Sequence, residues 1–80
     1  MITPELVLTE IRHTVCEVVP QIAPEAVVPE VRLADLGCSS IDRADIVTQV
    51  MERLSVVVPV SEFHSGLTVG ALAGIFRKHA

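Results

Sequence analysis

Two adjacent serines, Ser39 and Ser40, stand between Gly37 and the run Ile41-Asp42-Arg43-Ala44-Asp45. A serine hydroxyl at its ordinary pKa is a weak nucleophile and reacts only where a base is supplied. It is also a strong helix N-cap, its oxygen accepting a backbone N–H of the first turn. Gly37 permits a tight turn, and Asp42 and Asp45 put acidic groups near the start of the helix that follows. In that register Ser39 caps the helix and Ser40 is its first residue, with an exposed hydroxyl. The backbone N–H groups beside it favour a nearby phosphate. Read alone, the pair is better explained as an ordinary cap with a spare polar neighbour. The surrounding chain must decide.

Other reactive side chains form no constellation. His13, His64 and His79 are far apart and lack ligand spacing, so they read as surface residues and no metal is expected. Cys16 and Cys38 share neither metal-ligand nor redox spacing, and both read as free thiols in a reducing cytosol. Cys38, two residues before Ser40, reads as a buried or half-exposed small residue. Asp35, Asp42 and Asp45 do not match a calcium loop, and there is no triad signature or glycine-rich phosphate loop. Nothing here points to an enzyme.

The elements that must position the serines come from periodicity. Residues 3 to 19 open with Thr3 as N-cap and Pro4 at the first helical position. Leu8, Ile11, Val15 and Val18 make one helical stripe, and Pro20 ends the helix. Residues 20 to 38 carry three prolines and little periodicity. A connection of this length is usually functional, and Val27, Val28, Val31, Leu33 and Leu36 can pin it over a helical core. From Ser40 to Leu54 the helical period returns. Ile41, Ala44, Val47 and Met51 share one side and Ile46, Val50 and Leu54 a neighbouring one, a broad apolar face.

Residues 55 to 60, "SVVVPV", have strand composition, but Pro59 and the lack of a partner make them loop. "VSEFHS" predicts one or two helical turns stopped by Gly66. Thr68 caps a last helix whose apolar face is Val69, Leu72, Ile75 and Phe76. Arg77, Lys78 and His79 sit at its end, where the dipole favours positive charge. The expected fold is all-α: a small four-helix bundle of three main helices and one short one, with a long loop between the first two.

Composition excludes several roles. The chain has 80 residues, half of them apolar, and reads as a single domain, 1–80, that folds. A domain this small buries roughly 60% of its unfolded surface, leaving little room for an enclosed active site. The net charge of −4 and the lack of a basic cluster argue against nucleic acid. No apolar run reaches the roughly 18 residues of a membrane span, and "MITPEL" lacks the regions of a signal peptide, so a cytoplasmic protein is expected.

With these elements in view, Leu36-Gly37-x-x-Ser40-Ile41-Asp42 resembles the attachment motif of acyl carrier proteins, in which a glycine-led turn presents a serine that receives 4'-phosphopantetheine. The likeness runs from about Thr3 to the C-terminus. "SVVVP" resembles the segment after the family's second helix, and "LTVGALAGIF" its threonine-capped last helix. The family usually has an acid just before the modified serine; here that position is Ser39. More narrowly, "SSIDRADIV" resembles the free-standing carriers of polyketide β-branching cassettes, which hold an acetyl unit for an HMG-CoA-synthase-like enzyme. Ordinary fatty-acid carriers have a more uniformly acidic second helix, which Arg43 and Arg53 interrupt here.

The resemblance implies a carrier that is not an enzyme. Its covalent 4'-phosphopantetheine would sit on Ser40, installed by a phosphopantetheinyl transferase, and would hold an acyl group as a thioester. Ile41, Asp42, Arg43, Ala44, Thr48 and Met51 would form the partner-docking surface beside the serine; the alternative is an ordinary helix face. A general fatty-acid or polyketide carrier is the nearest competing function. A helical interaction module without a prosthetic group is the competitor from another class.

Overall fold

The computed structural model describes residues 2–80. Three helices form the fold: α1 (Pro4–Val18), α2 (Ser40–Leu54) and α3 (Val69–Lys78). Each begins at a hydroxyl cap. Thr3 Oγ1 accepts from Leu6 N at 3.1 Å, Ser39 Oγ from Asp42 N at 3.1 Å, and Thr68 Oγ1 from Ala71 N at 3.1 Å. These bonds satisfy N–H groups that the helices themselves leave unpaired. α1 stops before Pro20, with Val19 as its C-cap. α2 stops where Ser55 adopts a left-handed conformation (φ 55°) and Val56 N returns to Met51 O at 3.0 Å.

One core runs through the molecule. Val7, Ile11 and Val15 of α1 meet Ile46 and Val50 of α2 and Val69, Leu72, Ala73 and Phe76 of α3. Phe76 is fully buried, and the Phe63 ring lies 5.9 Å from its ring, centroid to centroid, at 47°. This is favourable tilted aromatic packing. α1 packs against both other helices, while α2 and α3 touch each other little. That splay leaves a gap between α2 and the segment leading into α3.

The long connection is anchored as expected, by Val27 and Leu33 in the core and by Val31 and Leu36 at its edge. Val28 is only half-buried, and Ile22 takes a buried place instead. Two 3-10 turns, Pro24–Ala26 and Leu33–Leu36, give the connection local order. Arg12 of α1 donates to Pro24 O (3.2 Å) and Val27 O (3.0 Å). The connection in turn serves α3: Val31 O accepts from Val69 N (2.7 Å) and Pro29 O from Gly70 N (2.9 Å). A Cβ on Gly70 would lie 3.1 Å from Pro29 atoms, so glycine lets the helix start approach this closely.

The structure corrects several expectations. The buried face of α1 is Val7, Ile11, Thr14 and Val15, rotated from the expected stripe; Leu8 and Val18 are only partly buried. Thr14 goes inside because its hydroxyl donates to Glu10 O at 2.7 Å, satisfying the polar group. On α2, Ile41 is 80% exposed and Ala44 is exposed, so the core face is narrower than the pattern suggested. The short fourth helix is a single 3-10 turn, Val60–Glu62, ending at Phe63 rather than at Gly66. Residues 55 to 59 are loop and Val60 opens the 3-10 turn, yet Val56 and Val58 are buried while Val57 is 85% exposed. The chain alternates as a strand does, with no strand beside it among the described residues.

Candidate functional site

Ser39 and Ser40 sit at the junction of the long connection and α2. Gly37 closes the preceding 3-10 turn with φ 93°, a conformation glycine adopts without the steric cost a side chain imposes. Gly37 N and Cys38 N bond back to Ala34 O and Leu33 O, each at 3.2 Å. Cys38 then turns inward and is buried. Burial pushes its thiol pKa up, and the nearby Asp42 carboxylate adds to the effect. A thiol so held is a poor nucleophile and serves as packing.

Ser39 is fully used. Its oxygen accepts from Asp42 N, and its own N–H donates to Asp42 Oδ2 at 2.9 Å, a reciprocal capping box. Ser40 is the first residue of α2, is exposed, and its hydroxyl has no hydrogen-bond partner among the described residues. Arg43, one turn on, donates from Nη1 to Cys38 O at 2.9 Å and fastens the turn to the helix. A nucleophile placed here is rigid in its backbone, free in its side chain and open to a second protein.

Beside Ser40 lies a half-open apolar cleft of about 320 Å³. One wall is α2, including Arg43, Val47 and Met51; the other includes Val60, Phe63 and Leu67, with Leu72 of α3. Of the residues expected at the site, Ser40, Arg43, Ala44, Thr48 and Met51 all line this cleft. Ile41 and Asp42 do not: Ile41 points to solvent and Asp42 is in the capping box. Thr48 uses its hydroxyl internally, donating to Ala44 O at 2.8 Å, and the Met51 sulfur accepts from Val58 N at 3.4 Å.

Sequence reasoning missed the second wall. Val60, Phe63 and Leu67 follow a proline-containing loop without periodicity, and only the presence of a large ring at Phe63 hinted at packing there. Arg53, which breaks the acidity of α2 in sequence, is engaged within the chain at its surface, pairing with Glu17 and Glu10 of α1. Of the histidines, His13 is exposed, His64 accepts from Gly66 N at 3.2 Å, and His79 pairs with Glu62. Among the described residues no three His, Cys, Asp or Glu side chains converge on a metal-sized site, and no helix is long and apolar enough to cross a membrane.

A phosphodiester-linked arm fits this arrangement: a free exposed hydroxyl, an arginine one turn away and an apolar cleft that both line. Residues 9–76 match the sequence family described as "Phosphopantetheine attachment site". The polyketide biosynthesis acyl-carrier-protein AcpK of Bacillus subtilis (strain 168) is 39% identical over 61 residues, covering 76% of this chain and 74% of that protein. No solved structure matches the chain significantly.

Proposed function

The chain belongs to the phosphopantetheine attachment-site family, and on that premise we propose that Ser40 is the residue that carries the arm. Membership makes the chain an acyl carrier protein, not an enzyme, with covalent 4'-phosphopantetheine as its prosthetic group. The observation that carries the assignment to Ser40 is the division of labour at the helix start: Ser39 is held at both its hydroxyl and its N–H, while the Ser40 hydroxyl is free.

Ser40 acts as a nucleophile once. Its oxygen forms a bond to phosphorus of coenzyme A, the nucleotide half leaves, and the serine proton passes to a base of the transferase. The arm then supplies a thiol that holds an acyl group as a thioester. The rest is done by the chain's own residues. The Gly37 turn, the capping box and the Arg43–Cys38 bond hold the attachment point still, and the cleft offers apolar cover beside it. Tethering raises the effective concentration of the acyl group at a docked enzyme, to the millimolar range for a suitable linker.

The acyl group we propose is acetyl, delivered to an HMG-CoA-synthase-like enzyme in polyketide β-branching. Support comes from the "SSIDRADIV" likeness, from Arg43 on an otherwise acidic first turn, and from the polyketide carrier among the relatives. The docking face is assigned to Ile41, Asp42, Arg43, Ala44, Thr48 and Met51, with Ile41 as its exposed apolar contact. Incubation with coenzyme A and a phosphopantetheinyl transferase, followed by fragment mass mapping, tests the attachment. The added group should map to Ser40; mapping to Ser39 would contradict the assignment.

A further inference from the structure

Arg43 is the only permanently charged residue lining the cleft that Ser40 also lines, among the described residues. Its charge is unmatched. Arg32 pairs with Asp35, and Arg53 with Glu17 and Glu10, but among the described residues no carboxylate pairs with Arg43. The neighbouring Asp42 accepts instead from Ser39 N. Only one donor of the guanidinium, Nη1, is committed, to Cys38 O. That bond restrains the side chain, so little further entropy is lost when its remaining donors find an acceptor. Ser40 and Arg43 are three residues apart on one helix, which makes their side chains surface neighbours.

We infer that the Arg43 guanidinium receives the phosphodiester of the arm on Ser40 and thereby directs the arm along the cleft rather than into solvent. The inference rests on Ser40 being the attachment residue. The phosphodiester is a permanent anion set one bond from Ser40 Oγ, and arginine recognises phosphate oxygens through its fork of N–H donors. A surface pair of this kind, half-buried at Arg43, biases the arm by roughly two- to fivefold, not absolutely. That suits a carrier that must release its cargo to partners. Arg43 is therefore a positioning residue, acting on where the arm lies and not on the thioester.

The test uses the full chain in apo and holo forms, loading being verified by intact mass. In the wild-type protein the Arg43 Nε–Hε resonance should shift on loading, and the phosphodiester ³¹P line should move toward its high-salt position as salt is raised. In Arg43→Gln the ³¹P line should already sit at that position, with Arg43→Lys between the two. An Arg43 resonance that superimposes in apo and holo wild type would overturn the inference, with no dependence on how a variant folds. A ³¹P line unchanged by Arg43→Gln would overturn it as well. Failure to load at all is a different result, since it removes the Ser40 assignment and the inference together.

Discussion

Ser39 and Ser40 have the same side chain and different tasks because one residue of register separates them. At the N-cap, the extended backbone of Ser39 (φ −72°, ψ 172°) aims its oxygen at Asp42 N; one position later the helix has begun and the hydroxyl has no such target. The cap was legible from the glycine-serine-acid order. The reciprocal bond from Ser39 N to Asp42 and the anchor from Arg43 to Cys38 O were not, since both depend on side-chain reach across a turn. Ser39→Ala removes one member of the box and leaves Ser40, the proposed nucleophile, in place. It should cost roughly 1 kcal/mol of stability in denaturant unfolding, the usual worth of a serine cap, while transferase loading continues.

At the scale of elements, the three helices were legible because each carries its own start signal, Thr3, Ser39 or Thr68, and its own apolar period. The segment between α2 and α3 was not, because its position depends on partners distant in sequence. Glu62, at the end of its 3-10 turn, accepts from Lys78 at 2.7 Å and pairs with His79, tying the second wall of the cleft to the end of α3. The Lys78 hydrogen bond, followed by the hydrogen bond and charge of His79, holds the Glu62 carboxyl below its usual pKa. A carboxyl lowered on folding contributes stability above the unfolded pKa, about 4.3 for glutamate, and loses it as pH falls through the lowered value. Amide protection over residues 60–67, corrected for the intrinsic pH dependence of exchange, should therefore fall on acidification below about pH 4.3 in the wild type. Glu62→Gln should show faster exchange at neutral pH and a flatter response to acid. Identical pH profiles would mean the clasp does not hold this wall.

For the molecule as a whole, an 11.1 Å radius of gyration and a net charge of −4 describe a small acidic body with the proposed attachment residue, Ser40, exposed on its surface. Such a body selects partners by surface, not by an enclosed pocket. If the proposed role in β-branching is right, the acetyl-loaded chain should acylate an HMG-CoA-synthase-like enzyme faster than a generic fatty-acid carrier with the same arm and acetyl group. The thioesters are chemically identical, so a tenfold preference would require about 1.4 kcal/mol of differential docking. One or two contacts at Ile41 or Arg43 suffice for that. Equal transfer rates would return the chain to a general carrier role. The all-helical class and the carrier family were both readable from the sequence, whereas the cleft was not, being made where non-adjacent segments meet. The account rests most heavily on Ser40 as the point of attachment, and intact mass after incubation with coenzyme A and a phosphopantetheinyl transferase tests it most directly. Wild type and Ser39→Ala should each gain one phosphopantetheine and Ser40→Ala none; a gain in Ser40→Ala would contradict the account.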